Sequence, residues 1–121
     1  MMKKALILFG ILSMFVLQAD EKAQAYTIEI DVKSTKANGK PWDISGGSPD
    51  IAISIDGKRL QFLEKCRDKY RCSIRFFSTS DEWYFEIYDK DIMSDDLIGK
   101  GNCSEGDSCT LGLAKVKIVE L

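Results

Sequence analysis

From residue 27 onward the chain alternates apolar and polar side chains, and this period of two constrains its fold more than any other feature. The alternation is regular at 28–32 and at 51–55. It recurs in four more segments, at 73–76, 82–87, 111–113 and 116–118. Successive side chains of a strand face opposite sides of a sheet, so each segment is typical of a half-buried strand.

Turn-forming residues separate these segments, and together with the strands they favour an all-β fold. They are Asn38-Gly39, Gly46-Gly47-Ser48-Pro49, Asp56-Gly57, Ser78-Thr79-Ser80-Asp81 and 99–106. The segment 58–71 is open to two interpretations, a strand through Leu60 and Phe62 or one helical turn through Leu60 and Leu63. A change of parity near Ala114 predicts a bulge or a break. Seven or eight short strands without a long helix predict an antiparallel β-sandwich.

The N-terminal segment has the features of a secretory signal peptide. Lys3 and Lys4 precede a run of thirteen mostly apolar residues at 5–17, which is shorter than the roughly 20 needed to cross a bilayer. Ala23-Gln24-Ala25 then matches an A-x-A cleavage pattern, and cleavage after Ala19 is the alternative. We therefore predict a signal peptide over 1–25 and a mature domain over 26–121, secreted or periplasmic and with no transmembrane span.

The four cysteines form two pairs with the same spacing. Cys66 and Cys72 enclose five residues, and so do Cys103 and Cys109. An even number of cysteines in an exported chain indicates disulfides, with three possible connectivities. We favour the two local pairs, because each would link the ends of a short polar turn. A zinc site would prefer the C-x2-4-C spacing, which neither pair has.

Composition excludes several classes of function. Histidine is absent, which excludes Ser-His-Asp nucleophiles and His-based zinc sites. The net charge of −2 disfavours a general nucleic-acid binder. The charge is unevenly divided, with seven basic residues against two acidic ones at 58–75 and seven acidic against one basic at 81–96. These segments attract each other, form a solvated face, or leave a basic patch for an anionic lipid, a polyanionic glycan or an acidic partner. The patch would consist of Lys58, Arg59, Lys65, Arg67, Lys69 and Arg71.

An acidic segment follows the strand predicted at 82–87. Asp89 and Asp91 are spaced i, i+2, and Asp95 and Asp96 follow after a short interval. Four carboxylates in eight residues repel one another unless a hard cation neutralises them, and calcium prefers oxygen ligands from flexible loops. The spacing does not fit an EF-hand, because position 12 of that loop would be Lys100.

A second acidic loop lies upstream, where Asp43 and Asp50 flank a glycine-rich turn before the strand at 51–55. Together the two loops resemble the C2 domain, the calcium-dependent phospholipid-binding β-sandwich. In that family one loop supplies two aspartates, and a later loop has D-x-D, a further aspartate and then I-G, here Ile98-Gly99. The resemblance implies calcium as the cofactor, with the ligands Asp43, Asp50, Asp89, Asp91, Asp95 and Asp96.

Three features depart from the family pattern. The second loop is one residue shorter than is usual in the family, so either Asp95 or Asp96 can match the third aspartate of the family motif. Ile51 stands where proline is common, and the two cysteine turns are not typical of the family. The resemblance also implies that apolar loop tips enter a lipid headgroup layer, here Ile92 and Met93 with Ile44 or Trp42.

The sequence therefore predicts a non-enzymatic calcium-binding module, expected to be monomeric, that binds an anionic phospholipid surface or a protein partner and no nucleic acid. The alternative is a metal-independent secreted interaction or inhibitor protein that binds a protein or a polyanion through its basic face. A metal-dependent phosphoesterase is disfavoured, because the sequence offers no histidine and no evident general base.

Overall fold

The computed structural model describes residues 22–42, 47–91 and 95–121. In these segments eight strands form two four-stranded antiparallel sheets, which confirms the predicted β-sandwich. The first sheet has the strand order β4-β1-β8-β7 and the second has the order β3-β2-β5-β6. The strands are β1 (Gln24–Val32), β2 (Ile51–Ile55), β3 (Lys58–Arg59), β4 (Arg71–Ser78), β5 (Glu82–Asp89), β6 (Asp96–Ser104), β7 (Ser108–Leu111) and β8 (Ala114–Glu120).

The core lies between the sheets and consists of the side chains that the alternation assigned to one face. Ile28 in β1 and Phe85 in β5 are fully buried, and Trp83 is 2% exposed. The Trp83 ring meets those of Tyr26 and Phe76 edge-on, with centroids 4.8 and 5.1 Å apart. Such pairs add about 0.5–1.5 kcal/mol each beyond the burial of apolar area.

Two uncertain segments of the sequence are resolved by the fold. Strand β3 has only two residues, and one 3₁₀ turn at Glu64–Cys66 follows it. The parity change near Ala114 is a hairpin, because Leu111 pairs with Ala114 across a two-residue turn. Strand β1 begins at Gln24, two residues before the predicted domain boundary. The signal peptide is a prediction for residues that lie mainly outside the described part of the chain.

One expectation about secondary structure was wrong. Residues 99–106 were predicted to form a turn, whereas β6 extends from Asp96 to Ser104 and only Glu105 and Gly106 form the turn. Gly99 and Gly101 instead allow two strands to approach closely, as glycine inside a strand often does. A Cβ atom on Gly99 would collide with the Leu111 carbonyl, and one on Gly112 would lie 2.7 Å from the Ile98 oxygen.

We expect Gly99→Ala to lower the free energy of unfolding by at least about 3 kcal/mol, because the methyl group must displace the Leu111 backbone. Gly39→Ala is the matched control. Gly39 has a φ of +83° but open space around it, so this variant should lose only about 1–2 kcal/mol. Urea unfolding of both variants measures the difference, and equal losses would contradict the close-approach role of Gly99.

Candidate metal centre

The centre begins with the last core-facing position of β5. Trp83, Phe85 and Ile87 face the core, and Asp89 continues the same parity with only 5% of its surface exposed. The N–H of Asp50 donates a hydrogen bond of 2.9 Å to Asp89 Oδ1. A carboxylate therefore takes the place of the next apolar side chain, at the end of the core.

A bulge in β6 places a second carboxylate beside the first. Ile87 pairs with Gly99 but Tyr88 pairs with Leu97, so Ile98 is the extra residue. The one-residue shift turns Ile98 into the core and leaves Leu97 47% exposed. It also pairs Asp96, and not Asp95, directly with Asp89.

Asp91 completes a group of three carboxylates that could hold a metal ion. One carboxylate oxygen from each of Asp89, Asp91 and Asp96 lies within 4.8 Å of the other two. Two oxygens that bind the same calcium ion at about 2.4 Å are at most about 4.8 Å apart, so the spacing suits one ion. Asp89 is buried, Asp96 is half-buried and Asp91 is exposed, which leaves the centre open to solvent on one side.

Burial and charge make the ionised form of Asp89 unfavourable. Burial is the main cause that raises the Asp89 pKa to about 6, and the negative charges of Asp91, Asp50 and Asp96 raise it further. The Asp50 N–H acts in the opposite direction, because it stabilises the carboxylate. A bound cation would remove the repulsion, since it favours the ionised form of every nearby acid.

Two other predicted ligands, Asp50 and Asp95, do not belong to this group. Asp50 Oδ1 accepts the Asp68 N–H at 2.7 Å, and Asp95 forms a salt bridge of 2.8 Å with Arg59. The hydrogen bond from Arg59 lowers the Asp95 pKa, and the N–H of Asp91 adds to this effect. Asp43 lies outside the described residues. The roles of Asp43, Asp50 and Asp95 as ligands remain predictions.

Lys36 is a member of the centre that sequence reasoning missed. Its ammonium group lies 3.1 Å from Asp96 Oδ2, although the two residues are 60 apart in the sequence. Lys36 also borders a groove of ≈ 330 Å³ that is lined by Trp42, Asp96 and Leu97 among others. No motif marks this lysine, because its position depends on the packing of the 33–42 loop against β6.

The predicted basic patch is divided among several elements and partly neutralised. Lys58 and Arg59 form β3, while Lys65 belongs to the 3₁₀ turn and Lys69 precedes β4. The three arginines of the patch each face an acid: Arg59 faces Asp95, Arg67 faces Glu64 and Arg71 faces Asp31. Attraction between the basic and acidic segments, one of the alternatives, is therefore observed for Arg59 and Asp95.

Of the residues predicted to contact lipid, only Trp42 belongs to the part of the chain that the structure describes. Trp42 is 5% exposed, and its indole N–H donates to the Lys33 carbonyl at 2.8 Å, so Trp42 is a core residue. Ile44, Ile92 and Met93 lie outside the described residues and stay predictions.

Both local cysteine pairs are confirmed as disulfides, Cys66–Cys72 and Cys103–Cys109. Two disulfides are typical of an oxidising environment, outside the cell or in the periplasm. In the described segments we find no helix with the length and hydrophobicity needed to cross a bilayer. A scan against models of known protein families finds no match, and a search among curated proteins finds no significant relative. The resemblance to the C2 domain stays a prediction from the motifs.

The raised pKa of Asp89 predicts how stability depends on pH in the presence of a chelator. The folded state holds this proton up to about pH 6, whereas the unfolded chain releases it near 3.8. The folded state thus binds more protons between these values, so the stabilisation is complete below about pH 4 and is lost as the pH rises through about 6. The shift corresponds to at most about 3 kcal/mol.

Asp89→Asn should therefore be more stable than the wild type at pH 7.5 in chelator, by up to about 3 kcal/mol. The amide oxygen can still accept the Asp50 N–H, while the buried charge is gone. Near pH 4 the two proteins should have similar stability. Urea unfolding between pH 4 and 8 checks this, and parallel pH profiles for the two proteins would contradict it.

Proposed function

We propose that this chain is an exported, non-enzymatic calcium-binding module that binds anionic phospholipid surfaces when calcium is present. The main support is the group of three carboxylates around the buried Asp89, whose oxygens have a spacing that suits one calcium ion. Oxygen-only donors favour hard cations such as calcium over zinc. Three carboxylates supply at most six oxygens, and water or a further loop residue such as Asp43 would complete the shell.

Lipid binding is supported by the sequence of the loop beside the centre. In the sequence, the apolar residues Ile92 and Met93 stand between Asp91 and Asp96, two of the proposed ligands. A calcium ion with incomplete protein coordination can also accept phosphate oxygens, because hard cations bind such oxygens well. The ion would thus join the acidic centre to an anionic headgroup while the apolar side chains enter the interface.

The metal-independent alternative has weaker support. Its basic face would need Arg59, Arg67 and Arg71 to be available, and each of these side chains faces a carboxylate. Exposed ion pairs of this kind contribute little stability, but they reduce the net positive charge offered to a polyanion.

Calcium should raise the stability of the wild type, because a ligand that binds only the folded state shifts the unfolding equilibrium. With a Kd of about 10⁻⁴–10⁻³ M, 10 mM calcium should add about 1.5–3 kcal/mol. Thermal melting in calcium and in chelator measures the gain. Asp89→Asn/Asp91→Asn should show none, whereas the control Asp81→Asn/Glu82→Gln, with the same charge change at the other end of β5, should keep it.

Calcium should also cause the protein to sediment with vesicles of mixed phosphatidylserine and phosphatidylcholine. Ile92→Ser/Met93→Ser should sediment less while keeping its calcium-induced rise in melting temperature. Phe77→Ser is the matched control, because Phe77 is 66% exposed on the other sheet and should not affect sedimentation. If sedimentation does not depend on calcium and is unchanged in Ile92→Ser/Met93→Ser, the lipid-binding proposal is contradicted.

A further inference from the structure

The turn closed by the Cys66–Cys72 disulfide is hydrogen-bonded to the loop at 47–50. Asp68 Oδ1 accepts the Ser48 N–H at 3.0 Å, and the Asp68 N–H donates to Asp50 Oδ1 at 2.7 Å. Lys69 adds a third bond, from its N–H to the Pro49 carbonyl at 2.9 Å. Asp68 thus has a donor and an acceptor that both point to the same short loop.

The backbone of Asp68 explains how one residue makes both contacts. Its φ of +56° lies in the left-handed region, which aspartate and asparagine tolerate better than most side chains. The disulfide joins the ends of the turn, and its Cys66 side is fully buried. The turn is therefore anchored to the core by the disulfide, while Asp68 is hydrogen-bonded to the loop at 47–50.

From this loop the contacts continue to the candidate metal centre. Asp50 uses its side chain to accept the Asp68 N–H and its own N–H to donate to Asp89 Oδ1. The Asp50 carbonyl in turn accepts the Lys90 N–H at 2.8 Å. Asp50 is thus hydrogen-bonded to Asp68 on one side and to β5 and the residue after it on the other.

We infer that Asp68 is a positioning residue for the metal centre, acting through Asp50 on the orientation of the Asp89 carboxylate. This role rests on the proposed calcium binding. Asp68 does not belong to the group of three carboxylates, and its contribution is to fix the amide that orients one of them. Loss of a direct partner of a metal ligand, as Asp50 is for Asp89, costs about 10–100-fold in metal affinity. Asp68 acts one contact further out, so we expect an effect at the lower end of this range.

The test measures the calcium affinity of the full chain by titration calorimetry. Asp68→Ala should weaken binding about ten-fold, whereas Asp68→Asn should stay within about two-fold, since asparagine keeps an acceptor oxygen and tolerates the left-handed φ. Asp56→Ala is the matched control. Asp56 also has a positive φ, of 51°, and accepts a backbone N–H, that of Tyr84, but it lies in the β2–β3 turn.

A second measurement separates positioning from general stability. In chelator, the amide hydrogens of Asp50 and Lys90 should exchange faster in Asp68→Ala than in Asp56→Ala when the two are compared at equal global stability. If Asp68→Ala does not fold, Cys66→Ser/Cys72→Ser should weaken calcium binding more than Cys103→Ser/Cys109→Ser, whose disulfide has the same sequence separation of 6.

The outcomes distinguish this role from the proposed function. A wild type that binds no calcium would overturn the proposed function and this role with it. A wild type that binds calcium, with Asp68→Ala binding equally well or with unchanged exchange at Asp50 and Lys90, would overturn the role of Asp68 alone.

Discussion

The hydrogen bond from the Asp50 N–H to the Asp89 carboxylate joins the loop before β2 to the end of β5, and the candidate centre depends on it. An ionised carboxylate at the end of an apolar core is costly without polar partners. One amide offsets part of that cost, while Asp91 and Asp96 add negative charge on the other side. The local chemistry therefore favours a bound cation, because a cation would offset the cost of burying the Asp89 charge and would reduce the repulsion among the carboxylates.

Contacts between the two sheets stabilise the β6 bulge that pairs Asp96 with Asp89. Ile98 is buried at 3% exposure, and its carbonyl accepts the Leu113 N–H from the turn before β8. The two glycines at 99 and 112 let these backbones approach closely enough for that bond. The bulge is thus fixed by its side chain in the core and by its backbone across the sandwich, so the parity change at Asp96 follows from packing between the sheets.

Two of the four acids in the 89–96 segment have a basic partner, Arg59 at Asp95 and Lys36 at Asp96. Arg59 forms a salt bridge with Asp95, and its hydrogen bond lowers the Asp95 pKa, while Asp95 Oδ1 also accepts the Asp91 N–H at 3.1 Å. Lys36 partly neutralises Asp96 through a contact that a bound ion would compete with. Exposed ion pairs are worth only about 0–1 kcal/mol, so such a contact is easily replaced. Asp95 and Asp96 therefore differ in their contacts, because Asp96 belongs to the group of three carboxylates and Asp95 does not.

The sequence by itself determined the strands with clear alternation and the core face of Trp83, Phe85 and Ile87, and it favoured the two disulfides that form, because these depend on local periodicity and spacing. It did not predict β6, because a glycine that allows close packing of strands cannot be distinguished in the sequence from a glycine in a turn. The contacts of Lys36 and Asp68 were decided only by the tertiary structure. Their partners Asp96 and Asp50 lie 60 and 18 residues away, and no local pattern encodes a contact that forms when distant loops meet.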